Sequence, residues 1–106
     1  MVRKVLTLAG FVEGKTFKET RFLKPPKETY AVYLDLYSAR GSDNSNELKE
    51  HNYTIELYSN KADSEAENRI ENSLNSLGIR YVKDPRYWLL EEELYQVIYQ
   101  FDYTEK

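Results

Sequence analysis

The sequence predicts an α+β fold, with two helices packed on one face of an antiparallel or mixed β-sheet and a long β-hairpin loop. Two apolar patterns of helical spacing and several segments of alternating apolar and polar residues indicate this fold. The length of 106 residues suits a single domain over residues 1–106 with one core.

Two segments have the periodicity of amphipathic helices. The first lies at the N-terminus, where Gly10 or Gly14 can end it. The second has a capping residue at Asn60 or Asp63 and ends before Gly78. The apolar residues are Val2, Val5, Leu6, Ala9 and Val12 in the first helix and Ala66, Ile70, Leu74 and Leu77 in the second. We expect both stripes to cover the sheet.

A long hairpin is predicted in the first half of the chain. Residues 30–37 and 52–60 alternate as half-buried strands do, and Pro25 and Pro26 precede the first strand. The polar loop over 39–51 is longer than most hairpins need, so it is either a partner-contact segment or a tip without a role. The candidate partner-contact residues are Arg40, Asp43, Asn44, Glu47 and Lys49.

The C-terminal third adds further strands. We expect one near 79–83, a turn at Asp84 and Pro85, a second piece that starts near Tyr87, and a long closing strand over 93–103. An extra strand within 16–23 is left open.

The closing strand has an aromatic side. Its members are Tyr95, Val97, Tyr99, Phe101 and Tyr103. Because the helices should bury small aliphatic side chains, we expect the ten tyrosines to cover the second face of the sheet. That face either packs across strands within one chain or forms a protein interface. The candidate interface tyrosines are Tyr33, Tyr37 and Tyr58.

The residue types do not indicate an enzyme, a metal site or a cofactor site. The chain has no cysteine and a single histidine, His51, so a catalytic triad or a typical zinc site has too few members. Four scattered glycines do not form a phosphate loop. Adjacent carboxylates at Glu91, Glu92 and Glu93 are typical of a solvated edge. No apolar run reaches the length of a membrane span, and the N-terminal run is too short for a signal peptide.

Charge is divided unevenly along the chain. Residues 1–27 have a net charge of +5 and the remaining residues a net of −8, which gives the total of −3. This asymmetry suits either a nucleic-acid arm or a molecule with two complementary surfaces. The segment KTFKETRFLKPPK mixes aromatics with cations, as base-stacking proteins do, but the rest of the domain is acidic.

The order of the segments resembles a known family. A short N-terminal helix, a Pro-Pro approach to YAVYLD, a polar loop, HNYTIELYSNKADSEAENRIENSLNSLGI, a short strand and a closing EEELYQVIYQFDY are similar to the tail terminator or tail completion proteins of long-tailed bacteriophages and prophages. The likeness spans roughly residues 1–104 and lies in segment order rather than in a signature motif.

The resemblance implies a structural protein of the virion tail, present in the bacterial host cytoplasm during assembly. Such a protein forms a ring, expected to be a hexamer, that ends polymerisation of the tail tube and joins the tail to the head connector. Its partners are further copies of itself, the tail tube protein and the head–tail connector protein. Neither a cofactor, a membrane nor a specific nucleic acid is implied.

Charge and exposure suggest the contact surfaces of such a ring. The cations Lys18, Arg21 and Lys24 are candidates for the subunit interface, together with the tyrosines named above. The carboxylates of Glu91, Glu92 and Glu93 are candidates for a negative lumen, through which DNA can pass without binding. Two alternatives stay open: another phage head–tail joining or minor tail component, and a small nucleic-acid-binding module.

Overall fold

The computed structural model describes the backbone of residues 1–40 and 48–105 and the side chains of residues 1–36 and 50–104. The elements, in chain order, are α1 (Val2–Leu8), β1 (Phe17–Glu19), β2 (Tyr30–Arg40), β3 (Leu48–Ser59), α2 (Ser64–Ser76), β4 (Val82–Lys83), β5 (Tyr87–Leu89) and β6 (Leu94–Glu105).

The six strands form one mixed sheet. Their order is β1-β2-β3-β6-β4, and β5 pairs with the same edge of β6 as β4 does. Only β1 runs parallel to its neighbour; β2, β3 and β6 are antiparallel in turn. The predicted α+β fold is therefore confirmed, and the segment left open in the sequence supplies the edge strand β1.

Each of the two helices ends shortly before a glycine, as the sequence predicted. In α1 the side chains of Val2, Val5 and Leu6 are buried, and Gly10 follows with a φ of +96°. Val12 lies beyond the helix and is 54% exposed, so it does not belong to the apolar stripe. Gly78 follows α2 with a φ of +70°, the left-handed conformation that glycine adopts without a steric penalty.

The N-terminus of α2 is capped by a side chain. The Asp63 carboxylate accepts a hydrogen bond from the backbone N–H of Ala66 at 3.0 Å, as one of the two predicted caps should. The Ser73 hydroxyl donates to the carbonyl of Val5 at 2.6 Å and so ties α2 to α1. Ala66, Ile70 and Leu74 are fully buried.

Both helices cover one face of the sheet, and the aromatic side of β6 lies on that face. Val97, Tyr99 and Phe101 belong to the same buried cluster as the residues of α1 and α2. The expectation that the tyrosines cover the second face is therefore wrong for this strand. A tyrosine can be buried here because its hydroxyl finds a partner at the helix: Tyr99 donates to the Glu71 carboxylate at 2.8 Å. Burial and this hydrogen bond raise the pKa of Tyr99.

The hairpin strands are longer than the alternation predicted. The expected loop over 39–51 loses residues to both strands, since β2 extends to Arg40 and β3 begins at Leu48. The sequence hid these ends because Ser38 and His51 are polar at positions where the alternation requires an apolar residue, although the backbone pairing continues through them. Arg40 and Lys49 are therefore strand residues and not loop residues, whereas Asp43, Asn44 and Glu47 lie outside the described residues.

A buried charged cluster fixes the segment between β4 and β5 against α2. The Glu67 carboxylate is only 5% exposed and accepts hydrogen bonds from Lys83 at 2.9 Å and Arg86 at 2.8 Å. Lys83 also pairs with Glu71 at 2.7 Å. Burial alone would raise the pKa of Glu67, but the hydrogen bonds from Arg86 and Lys83 lower it below its ordinary value.

Candidate assembly surface

The second face of the sheet is not covered by helices, and we call it the open face. It consists of the side chains of β2, β3 and β6 that point away from α1 and α2, which are the even-numbered residues of these strands. Those with described side chains are Tyr30, Val32, Leu34, Leu36, Glu50, Asn52, Thr54, Glu56, Tyr58, Leu94, Gln96, Ile98, Gln100, Asp102 and Thr104.

The charged side chains that the structure describes on the open face have one sign. Among its described side chains, Glu50, Glu56 and Asp102 are acidic, and none is Lys or Arg. The nearest cation by register is Lys18, which is level with Val32 on the edge strand β1. Asp102 accepts a hydrogen bond from the Asn52 amide at 2.6 Å, so this carboxylate is held in place across the strands.

A polar network crosses the same face at one end of the sheet. The Tyr58 hydroxyl donates to the Glu56 carboxylate at 2.8 Å and accepts from the Gln96 amide at 2.9 Å. Burial first, and then the hydrogen bond to Glu56, raise the pKa of Tyr58. Its ring stacks on Tyr30 with the centroids 5.3 Å apart. Tyr58 therefore packs within one chain, which is the simpler of the two interpretations of the aromatic residues.

A cleft of about 260 Å³ lies beside this network. Its wall includes Tyr30, Val32 and Tyr58 of the sheet, while the segment after β1 and the turn between β5 and β6 form its two sides. Arg21 and Glu92 stand among the lining residues. The cleft is thus a largely apolar recess with the Glu56 carboxylate in its wall, a cation on one side and a second carboxylate on the other.

One residue of the predicted cationic set and one of the predicted acidic set line this cleft. Lys18, Arg21 and Lys24 were assigned to a protein interface and Glu91, Glu92 and Glu93 to a lumen, and all six side chains are exposed. The structure places Arg21 and Glu92 in the lining of one recess, while the assignment of the two sets to an interface and a lumen stays a prediction. Positions far apart in sequence gave no sign of this, because it depends on how β5 and β6 fold back.

The predicted interface tyrosines are not on one surface. Tyr33 is 6% exposed on the helix-covered face, level with Ile55, and its ring is 6.2 Å from that of Phe17. The prediction that Tyr33 is exposed is therefore wrong, because Tyr33 belongs to the buried cluster that contains Phe17 of β1 and the apolar residues of α1. Tyr58 is half-buried on the open face, and the side chain of Tyr37 lies outside the described part of the chain.

One buried polar pair had no sequence signal. The His51 Nδ1 atom lies 2.8 Å from the Asp35 carboxylate, and the imidazole stacks on Tyr53 at 5.0 Å between ring centroids. Asp35 lies directly opposite Tyr53 and not opposite His51, so its carboxylate reaches the imidazole diagonally across β2 and β3. The contact therefore depends on the strand register. The described residues contain no group of three possible metal ligands around this pair or elsewhere.

No family model matches this chain, and no curated protein is significantly similar to it. Within the described ranges, no helix is long and apolar enough to cross a membrane.

Proposed function

We propose that this protein is a structural ring subunit of the tail terminator type, located at the head-proximal end of a bacteriophage tail tube. The open face carries the proposal. Its described side chains on the three long strands include three carboxylates and neither Lys nor Arg. A wall of this kind repels phosphate, as the channel of a ring must if DNA is to pass through it without binding.

The proposed ring places the helices outside and the open face toward the channel. The helix-covered face already buries its residues within one chain, so it needs no partner. The open face is wetter but still has apolar side chains: Leu36 is 68% exposed, and Val82 of β4, level with Gln100, is 64% exposed. Glu50, Glu56 and Asp102 replace Glu91, Glu92 and Glu93 as the principal channel carboxylates in this proposal.

The cleft then lies where the channel opens at one end of the ring, because Tyr30, Val32, Glu56 and Tyr58 of the open face line it. Its apolar wall, flanked by Arg21 and Glu92, suits a protein partner with both charges. The tail tube protein and the head–tail connector protein are the partners that the resemblance of the sequence implies. The protein would be found in the virion tail, and in the host cytoplasm during assembly, with no cofactor and no catalytic role.

Two alternatives differ in what they require of this surface. Another head–tail joining or minor tail component would use the same open face without ending tube growth. A nucleic-acid-binding module would use the exposed cations of the segment 15–27, among them Lys15 and Lys27. The acidic open face disfavours nucleic-acid binding, because its negative charge repels phosphates that come within the screening length of the solution.

Electron microscopy of virions made without this protein tests the proposal. We expect filled heads beside unjoined tails whose tubes have irregular length, because nothing ends their polymerisation. Supplying the protein from a plasmid should restore joined tails of uniform length. Joined tails of normal length in its absence would contradict the proposal, and normal unjoined tails would favour a head–tail joining component.

A further inference from the structure

The three long strands extend beyond their neighbours on both sides of the sheet. On one side, β1 covers only Ala31–Tyr33 of β2, and on the other side the pairing of β4 with β6 ends at Gln100. We call the remainder, residues 34–40, 48–54 and 101–105, the ribbon. Its central strand β3 is paired on both sides from Lys49 onward. Its outer strands have no partner on their outer edges among the described residues.

The hydrogen bonds of β1 show which groups point outward from β2. The N–H of Ala31 donates to the carbonyl of Thr16, and the carbonyl of Tyr33 accepts from Thr20, each at 2.8 Å. Because strand residues alternate, the outward N–H and C=O groups further along β2 are those of Asp35, Tyr37 and Ala39. They are in position to extend the sheet.

The outer edge of β6 also has backbone N–H and C=O groups that point outward. The carbonyl of Ile98 accepts from the N–H of Asp84 at 2.9 Å, so even-numbered residues of β6 direct their backbone groups outward. Beyond Gln100 these are Asp102 and Thr104. The ribbon thus has one open backbone ladder on each side.

Among the described residues, both edges lack most of the devices that normally prevent pairing, and their protection consists of charges: Asp35 and Arg40 on β2, and Asp102 and Glu105 on β6. Natural sheets protect free edges with proline, charged side chains and above all lysine, bulges or a covering segment. The stretches LDLYSAR of β2 and FDYTE of β6 contain no proline, glycine or lysine, and their pairing with β3 runs without a bulge. The rest of both edges is covered by β1, β4 and β5, which makes the two open stretches the exception.

The two open edges run in the same direction and lie at the same level along the strands. Since β2 and β6 are both antiparallel to β3, they run the same way. Asp35, Tyr53 and Phe101 form one row across the ribbon, so the open stretches lie at the same level. Rotation about a ring axis preserves strand direction, whereas a two-fold axis that pairs like edges reverses it.

We propose that the β6 edge of one copy pairs in parallel with the β2 edge of the next, so that the ribbons join into one continuous sheet around the ring. This inference rests on the proposed function and names the contact between subunits. Each copy contributes three strands, so six copies would give eighteen. Barrels of about 16–18 strands leave an aqueous channel.

Proline at an outward-pointing N–H tests this contact, because it removes one donor and blocks the approach of a strand while an edge position tolerates it. Ala39→Pro blocks the β2 edge and Thr104→Pro blocks the β6 edge. Ala39→Val and Thr104→Val are the matched controls that keep the N–H. Circular dichroism and thermal unfolding should show all four folded. Native mass spectrometry should show rings for the controls and the wild type, with association of each proline variant weakened about tenfold or more.

A mixture of the two proline variants is diagnostic. Each variant keeps the edge that the other lacks, so together they should form a dimer of one copy each that cannot grow. Two-fold pairing through β2 would instead let Thr104→Pro, whose β2 edge is intact, dimerise alone, and this would overturn the proposal. Rings that persist in both proline variants would overturn it as well, yet leave the ring function standing. A wild type that never forms rings would overturn both.

Discussion

Replacing Tyr99 by alanine is expected to lower the free energy of unfolding by about 3–5 kcal/mol, the largest loss for one side chain in this fold. Tyr99 is fully buried, lies level with Ile55 in the centre of the sheet, and packs with its ring centroid 5.9 Å from that of Tyr81. A domain of this size has about 5–15 kcal/mol in total. The variant should therefore be largely unfolded at moderate urea concentrations.

Two further variants separate the causes of this loss. Tyr99→Phe keeps the ring but removes the hydrogen bond to Glu71, and it should cost about 1 kcal/mol. Tyr87→Ala removes a tyrosine that is 63% exposed and should stay within about 0.5 kcal/mol of the wild type. Urea unfolding followed by circular dichroism measures all three. Equal losses for Tyr99→Ala and Tyr87→Ala would contradict the placement of β6's aromatic side in the core.

Replacing Glu67 by glutamine is expected to cost about 1–3 kcal/mol at neutral pH. The substitution keeps the shape of the side chain but removes the charge that Lys83 and Arg86 share. Both cations have side chains that are 34% exposed and can take up water, which keeps the loss below that of a fully buried pair. Glu65→Gln is the matched control on the same helix, because Glu65 is 83% exposed and should cost about 0.5 kcal/mol or less.

The effect of Glu67→Gln should depend on pH. Because the pKa of Glu67 is lowered in the folded state, its carboxylate contributes stability above the unfolded value of about 4.3. This contribution is lost as the pH falls through the lowered folded value. The difference between wild type and Glu67→Gln should therefore shrink from pH 7 to pH 3, measured by urea unfolding. A difference that is constant over this range would mean that shape, and not charge, holds the cluster together.

The helices and the main strands could be predicted because their signals are local. The apolar stripe of α2, the cap at Asp63 and the glycine at Gly78 all lie within one segment, and each is as predicted. The closing strand also has its predicted alternation. Which face it turned to the helices could not be read from the alternation, because tyrosine is compatible with both burial and water until its hydroxyl partner is known.

The candidate surface could be predicted only in part. Charge asymmetry in the sequence gave the cationic and acidic sets, but the placement of Arg21 and Glu92 around one cleft depends on tertiary folding. The unpaired edges of the ribbon depend on the strand register. Because β1 and β4 are short, the residues at which they end decide where the ribbon begins. The Glu67 cluster joins α2 to the segment after β4 over a sequence distance of up to nineteen residues, and no local pattern marks it.

Native mass spectrometry of the purified wild-type protein over a concentration series, with and without tail tube protein, tests the central claim most directly. Head-to-tail pairing of two different edges predicts a closed species with more than two copies and a single stoichiometry, six in a ring like that of the tail terminators. A monomer, or a dimer that never grows, at every concentration and with the tube protein present would contradict the ring.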